Sequence, residues 1–184
     1  MRKRVFTSIV VTVVLLSLSW IILTPTLFPV VQANTDASAV HKGFQAPGFT
    51  LQTPEGQSIS LSDYEGQPVL VFLWASWCSI CKRTMPGLQS VYEEFAPEGF
   101  EILAINTSFQ DSLTNAASYF ESQGYTYTML LDRDGSLSRD YQLHAVPLSV
   151  LVGPEGEVID VIIGSGMSEA YLRAKLTDIY GERD

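Results

Sequence analysis

Between Pro68 and Phe95 the chain changes its hydrophobic period, and no other feature restricts the fold as much. Val69-Leu70-Val71-Phe72-Leu73-Trp74 is an unbroken apolar run, the pattern of a central strand covered on both faces. The apolar residues that follow, Met85, Leu88, Val91, Tyr92 and Phe95, recur at helical spacing. They predict a helix from about Ser79 to Ala96 with one buried face. Pro86 falls inside that helix and should kink it. A doubly covered strand that feeds an amphipathic helix is the first half of a parallel β–α–β unit.

The rest of the body keeps the alternation. Ile102–Ile105 reads as the next buried strand, Leu113–Gln123 as a helix stopped at Gly124, Tyr127–Leu131 as a strand and Ser136–Tyr141 as a short helix. Leu148–Val152 and Val158–Ile163 are strands joined through Gly153-Pro154-Glu155-Gly156, a turn that makes them antiparallel. Ser168 caps a closing helix that carries Tyr171, Leu172, Leu176 and Ile179, with Glu169 at its positive end. Upstream, Phe49–Leu51 and Ser58–Leu61 flank Pro54-Glu55-Gly56 as a short hairpin, followed by a turn at Ser62-Asp63-Tyr64. The expected fold is α/β, with a mixed sheet that is parallel at its core and antiparallel at one edge.

Ahead of this body, Val5 to Val31 carries no charged side chain, while Arg2, Lys3 and Arg4 precede it. Val5–Leu23 supplies 19 largely apolar residues, close to the roughly 20 that a helix needs to cross a bilayer. The basic cluster places Met1 on the cytoplasmic side. The length favours an uncleaved anchor, since signal-peptide cores run about 7–15 residues. The alternative is a cleaved signal peptide, with small residues at Val31-Gln32-Ala33 ahead of the cut. Either way residues beyond 33 emerge outside the cytoplasm. Asn34–Gly43 is small and polar and reads as a linker, with His41 a solvated residue in it. Residues 44–184 are the domain, long enough to bury a core without disulfide staples.

Charge and cysteine count exclude several functions. The chain has 11 Lys+Arg against 20 Asp+Glu, a net −9. Without Arg2, Lys3 and Arg4 the balance is 8 against 20, or −12. Such a surface repels phosphate backbones and disfavours nucleic-acid binding. Two cysteines cannot build a disulfide-rich scaffold or a four-cysteine zinc site. They stand instead at Cys78-Ser79-Ile80-Cys81, where the predicted strand ends and the helix begins. Unpaired amides and the macrodipole at a helix start favour an anion, so a Cys78 thiolate is stabilised below the free value of ~8.5. Cys81 lies three residues later on the same face, within disulfide reach. Cys78 would attack a substrate disulfide and Cys81 would resolve the mixed intermediate. The competing reading is an inert structural disulfide, which the helix-start position and the flanking tryptophans disfavour.

Trp74-Ala75-Ser76-Trp77-Cys78-Ser79-Ile80-Cys81-Lys82 resembles the thioredoxin active-site segment, and Pro86 resembles that family's helix proline. Val146-Pro147 resembles its cis-proline loop, which lies opposite the dithiol. The N-terminal apolar segment, the hairpin and the Ala46-Pro47-Gly48-Phe49 opening are most similar to the extracytoplasmic TlpA/ResA-like branch. The resemblance covers Phe44 to about Gly181. It implies a thioredoxin fold, a central mixed sheet flanked by helices, with an N-terminal β-hairpin extension. It also implies Cys78 and Cys81 as the catalytic redox pair, Trp77 as a wall of the site, and Val146 and Pro147 as the segment that pairs with a substrate peptide. Trp74 reads as core.

The implied function is a membrane-tethered, extracytoplasmic thiol–disulfide oxidoreductase that reduces protein disulfides, in cytochrome c maturation or copper-site assembly. It would use no cofactor and take its electrons from a membrane donor. Three departures stand out. Phe72 occupies the position where thioredoxins keep a buried acid, and Leu148 replaces the usual threonine after the cis-proline. ResA-like proteins carry a glutamate in the loop after the next strand, where this chain has Asn106-Thr107-Ser108-Phe109-Gln110 and no clear carboxylate replacement, Asp111 being the one acid next to it.

Two rival functions compete with this one. A copper chaperone would use Cys78, Cys81 and His144, since thiolates and imidazole suit copper, but related copper proteins space their cysteines four apart. A peroxiredoxin-type peroxidase would need a threonine and a proline where this chain has Ala75 and Val71.

Overall fold

A computed structural model describes residues 40–181; the apolar N-terminal segment and most of the linker lie outside the described residues. The strands are β1 (Thr50–Gln52), β2 (Ser58–Ser60), β3 (Val69–Trp74), β4 (Glu101–Asn106), β5 (Thr128–Leu131), β6 (Leu148–Val152) and β7 (Val158–Ile163). They form one sheet in the order β2-β1-β5-β4-β3-β6-β7. β3, β4 and β5 run parallel, while β6 is antiparallel to β3 and β7 to β6. The helices are α1 (Ser79–Phe95), α2 (Leu113–Ser122), α3 (Ser136–Asp140) and α4 (Glu169–Gly181). This is the mixed sheet flanked by helices that the sequence predicts, with the hairpin β1–β2 paired to β5 through β1.

The continuous apolar run has a direct cause. Leu70, Phe72 and Trp74 enter one buried cluster with Met85, Leu88 and Val91 of α1, Ala116 and Phe120 of α2, and Leu172 and Leu176 of α4. Val69, Val71 and Leu73 enter the other, with Leu137, Tyr141, Val150 and Val152. Alternate side chains of β3 therefore feed both layers, and a polar residue at any of these positions would be buried unpaired. The neighbour β4 is in register with β3 from Val69↔Glu101 to Trp74↔Asn106. That register brings the ends of both strands, and the loops leaving them, to the same edge of the sheet.

Local departures from the sequence reading have simple causes. Leu61 starts a 3-10 turn through Tyr64 rather than ending β2, because Asp63 accepts from the Ser60 amide at 2.8 Å and closes a capping box. Tyr127 precedes β5 and is buried in an aromatic group, stacked on Tyr125 and edge-on to Phe120 and Tyr92. Val40, in the stretch read as linker, is buried against the second cluster. The opening Ala46–Phe49 is tied down by the Tyr141 hydroxyl, which donates to the Pro47 carbonyl at 2.9 Å, and by an edge-on Phe49–Tyr141 contact.

Gly87 sits inside α1, where glycine costs about 1 kcal/mol relative to alanine. A Cβ there would lie 3.1 Å from Cβ of Glu169 at the start of α4. The glycine therefore lets the two helices approach closely. Gly87→Ala is expected to leave stability within about 0.5 kcal/mol, because helix propensity offsets the crowding. Gly87→Leu is expected to cost about 1–3 kcal/mol by forcing the helices apart. Urea melts of both variants measure this.

Candidate redox-active site

Cys78 is the N-cap of α1, with φ −80° and ψ 107°, and its sulfur accepts from the Cys81 amide at 3.0 Å. The backbone is extended at Cys78 and turns helical at Ser79, so the first sulfur sits against the open amides of the helix start. The two sulfurs are joined in a disulfide with Cα atoms 5.3 Å apart. Their environments differ: Cys78 retains 6% exposure and Cys81 none. A reagent approaching from solvent meets the Cys78 sulfur first.

The surroundings of Cys78 are apolar and partly open. The Val146 carbonyl oxygen lies 3.7 Å from its sulfur, and the Val146–Pro147 peptide is cis. The Pro147 carbonyl accepts from the Gly164 amide at 2.8 Å, fixing this loop to the end of β7. Next to it Leu148 pairs with Ile163, which is exposed. On the other side Trp77 is 60% exposed, and its indole N–H donates to the Gln110 carbonyl at 3.4 Å. Phe109 and Leu113, farther along the same loop and at the start of α2, are also exposed. The structure thus brings Cys78, Cys81, Val146 and Pro147 together and anchors Trp77 to the β4–α2 loop. Trp74, by contrast, is fully buried, with its ring 6.1 Å from those of Tyr119 and Phe120.

The acid chemistry differs from the sequence expectation. Phe72 is fully buried in the same cluster as Cys81 and Met85, so β3 offers no carboxylate beneath the second sulfur. Asp111 does not act as a free stand-in. Its Oδ2 accepts from the Ser76 amide at 2.5 Å and from Nδ2 of Asn106 at 2.7 Å. Its Oδ1 accepts from the Ser76 hydroxyl at 2.6 Å and from the Ser112 amide at 2.8 Å. Burial pushes the Asp111 carboxyl up, but the hydrogen bonds from Ser76, Asn106 and Ser112 outweigh it and hold the carboxyl below the usual aspartate value. A carboxylate engaged by four donors is a poor proton acceptor, so Asp111 is not the group that takes the Cys81 proton.

The copper alternative needs Cys78, Cys81 and His144 together. Among the described residues no group of three or more His, Cys, Asp or Glu side chains is arranged to hold a metal ion. His144 instead shares with His41, Tyr141 and Leu148 the lining of a cavity of about 300 Å³. Lys82, the residue after Cys81, lies over the Tyr119 ring with Nζ 4.6 Å from its centroid.

The AhpC/TSA family matches residues 43–161. Over 134 residues the chain is 31% identical to the thiol-disulfide oxidoreductase ResA of Bacillus subtilis (strain 168), covering 73% of this chain and 73% of that one. Among solved structures it is similar to the thioredoxin domain of a thiol-disulfide oxidoreductase from Bacteroides vulgatus. That match has a TM-score of 0.66 and 26% identity, over 75% of this chain and 96% of the other. StoA from Bacillus subtilis aligns with a TM-score of 0.60 and 27% identity, over 70% of this chain and 95% of its own. With the Cys78–Cys81 disulfide at a strand–helix junction of this sheet, these matches make the chain a thiol–disulfide oxidoreductase of the AhpC/TSA family, ResA-like within the thioredoxin superfamily.

Proposed function

We propose that this chain is a membrane-tethered reductant of extracytoplasmic protein disulfides, serving cytochrome c maturation or copper-site assembly. The observation that carries the reading is the unequal pair: Cys78 reachable at the helix start, Cys81 wholly buried behind it. In the reduced protein the Cys78 thiolate attacks a substrate disulfide. One substrate sulfur leaves as a thiolate and a Cys78–substrate disulfide forms. Cys81 then loses its proton and attacks the Cys78 sulfur, releasing the second substrate thiolate and leaving the Cys78–Cys81 disulfide. The substrate gains two electrons, the protein dithiol loses them, and the leaving thiolates are reprotonated through water by the proton Cys81 releases and the one Cys78 gave up on ionising. Trp77 walls the site, and the Val146–Pro147 segment receives the substrate backbone.

The TlpA/ResA-like resemblance supports the direction of flow, and the compartment sets what that direction requires. An oxidising space holds no reductant pool, so a reductant there is recharged through the membrane, by a donor that returns two electrons to the disulfide. The uncharged stretch Val5–Val31 supports the tether. Among the described residues no helix is long and apolar enough to cross a membrane, so the tether rests on that N-terminal stretch.

The test is the equilibrium reduction potential of the purified full-length protein in detergent, read by tryptophan fluorescence against thiol–disulfide buffers. A value near about −270 mV is expected for a dedicated reductant. A value near about −120 mV would make the protein a disulfide donor and overturn the direction. Absence of a reversible two-electron transition would overturn the reading altogether. Labelling of Cys78 in intact reduced cells by a membrane-impermeant maleimide tests the compartment.

A further inference from the structure

Asp111 makes more hydrogen bonds around the redox site than any other side chain there, and none of them is to sulfur. Two of its four donors, the amide and hydroxyl of Ser76, belong to the turn between the end of β3 and Cys78. A third, Nδ2 of Asn106, belongs to the last residue of β4, and the fourth is the Ser112 amide. Ser76 and Asn106 are buried, so a lost acceptor would leave their donors without water. The loop that carries Asp111 is itself held. The Phe109 amide donates to the Asp132 carbonyl at 3.2 Å, and the Asp132 amide to the Asn106 carbonyl at 3.0 Å. Two further bonds join this loop to the end of β3: the Thr107 amide and hydroxyl both donate to the Trp74 carbonyl, at 3.0 and 3.3 Å.

We infer that Asp111 is a positioning residue of the redox centre. Its carboxylate clamps the Ser76–Trp77 turn onto the β4–α2 loop and so holds the Cys78 sulfur against the open amides of α1. This goes beyond the proposed function and rests on it, because it takes Cys78 as the attacking sulfur. The stabilising bond to that sulfur, from the Cys81 amide at 3.0 Å, depends on where the N-cap residue sits. Ser76 lies two residues before Cys78, with only Trp77 between them. A turn released from Asp111 lets Cys78 move off the helix axis, and its thiolate loses amide contact. Loss of the negative charge alone would act in the opposite sense, by making a nearby thiolate easier to form. Geometry and field are therefore distinguished by sign.

The experiment measures alkylation of Cys78 by iodoacetamide from pH 5 to 10 in reduced full-length protein, comparing wild type with Asp111→Asn, Ser76→Ala and the double variant. The other charged groups on elements around Cys78, Lys82 and Arg83 on α1 and His144 before Pro147, are unchanged in all of them. Asp111→Asn is expected to slow alkylation at pH 7 by about tenfold and to move the midpoint of the profile upward, with the rate on the high-pH plateau preserved. Ser76→Ala removes only the hydroxyl contact and is expected to give about a two- to threefold slowing. The double variant should fall short of the product of the two effects, since both act through one clamp. An unmoved or lowered midpoint in Asp111→Asn would overturn the inference, even with reduced thermal stability. If Asp111→Asn fails to fold, an unmoved midpoint in Ser76→Ala overturns it as well. A wild-type Cys78 no more reactive at pH 7 than a free thiol would instead overturn the proposed function, which keeps the two failures apart.

Discussion

Cys78→Ser is expected to abolish reduction of a peptide disulfide, with a loss of at least about a thousandfold, while Cys81→Ser accumulates a covalent adduct with the substrate. Removing a nucleophile leaves only binding and orientation to accelerate the reaction. The two substitutions differ because the structure treats the sulfurs differently. Cys78 retains 6% exposure and accepts the Cys81 amide, whereas Cys81 is fully buried in the cluster that also holds Phe72, Trp74 and Met85. A substrate sulfur can reach the first and not the second. With Cys81 replaced, the mixed disulfide on Cys78 has no internal thiol to resolve it and persists. Turnover of a peptide disulfide and the intact mass of the product, taken under non-reducing conditions, check both expectations. A Cys81→Ser protein that forms no adduct, with Cys78→Ser forming one, would reverse the roles.

Much of this arrangement is legible in the sequence because it is written in local pattern. The period change after Trp74 locates the junction of β3 and α1, and the Gly153–Gly156 turn dictates an antiparallel β6–β7 pair. The cysteine spacing follows from helical geometry alone, and the observed helix starts at Ser79. What pattern does not carry is the meeting of distant loops. Ser76 and Asp111 are 35 residues apart, and nothing in either segment names the other. They meet because β3 and β4 are parallel neighbours in register, so both chains leave the sheet at the same edge. The resemblance to thioredoxins implies an acid for proton transfer, and the loop pattern names no clear one, with Asp111 only next to the expected place. Its four donors became visible only when both loops were in place. The enclosure of Val40 has a similar cause. One valine in a small, polar stretch has no periodicity to read, and its burial depends on the surface that Tyr141 and Val158 present. His144 likewise reads as a candidate ligand only while its neighbours are unknown.

The largest expected effect on stability lies at Trp74, where the two kinds of information meet. Its ring is fully buried and packs on Tyr119 and Phe120 of α2, while its carbonyl accepts both donors of Thr107. Trp74→Ala keeps the carbonyl contacts and empties the ring site, which is expected to cost about 3–5 kcal/mol. The indole N–H, however, is buried without a hydrogen-bond partner, and an orphaned donor costs about 1–3 kcal/mol. Trp74→Phe removes that donor while keeping most of the ring, so its loss of volume is largely offset and a net cost of about 1 kcal/mol is expected. Denaturant melts of the two variants, with midpoints and slopes compared, separate packing from polar strain. A phenylalanine variant as unstable as the alanine one would show that shape at the end of β3, rather than buried area, holds α2 in place. Because the turn to Cys78 leaves the sheet at Trp74, that outcome would also slow Cys78 alkylation in Trp74→Phe, whereas the expected outcome leaves it unchanged.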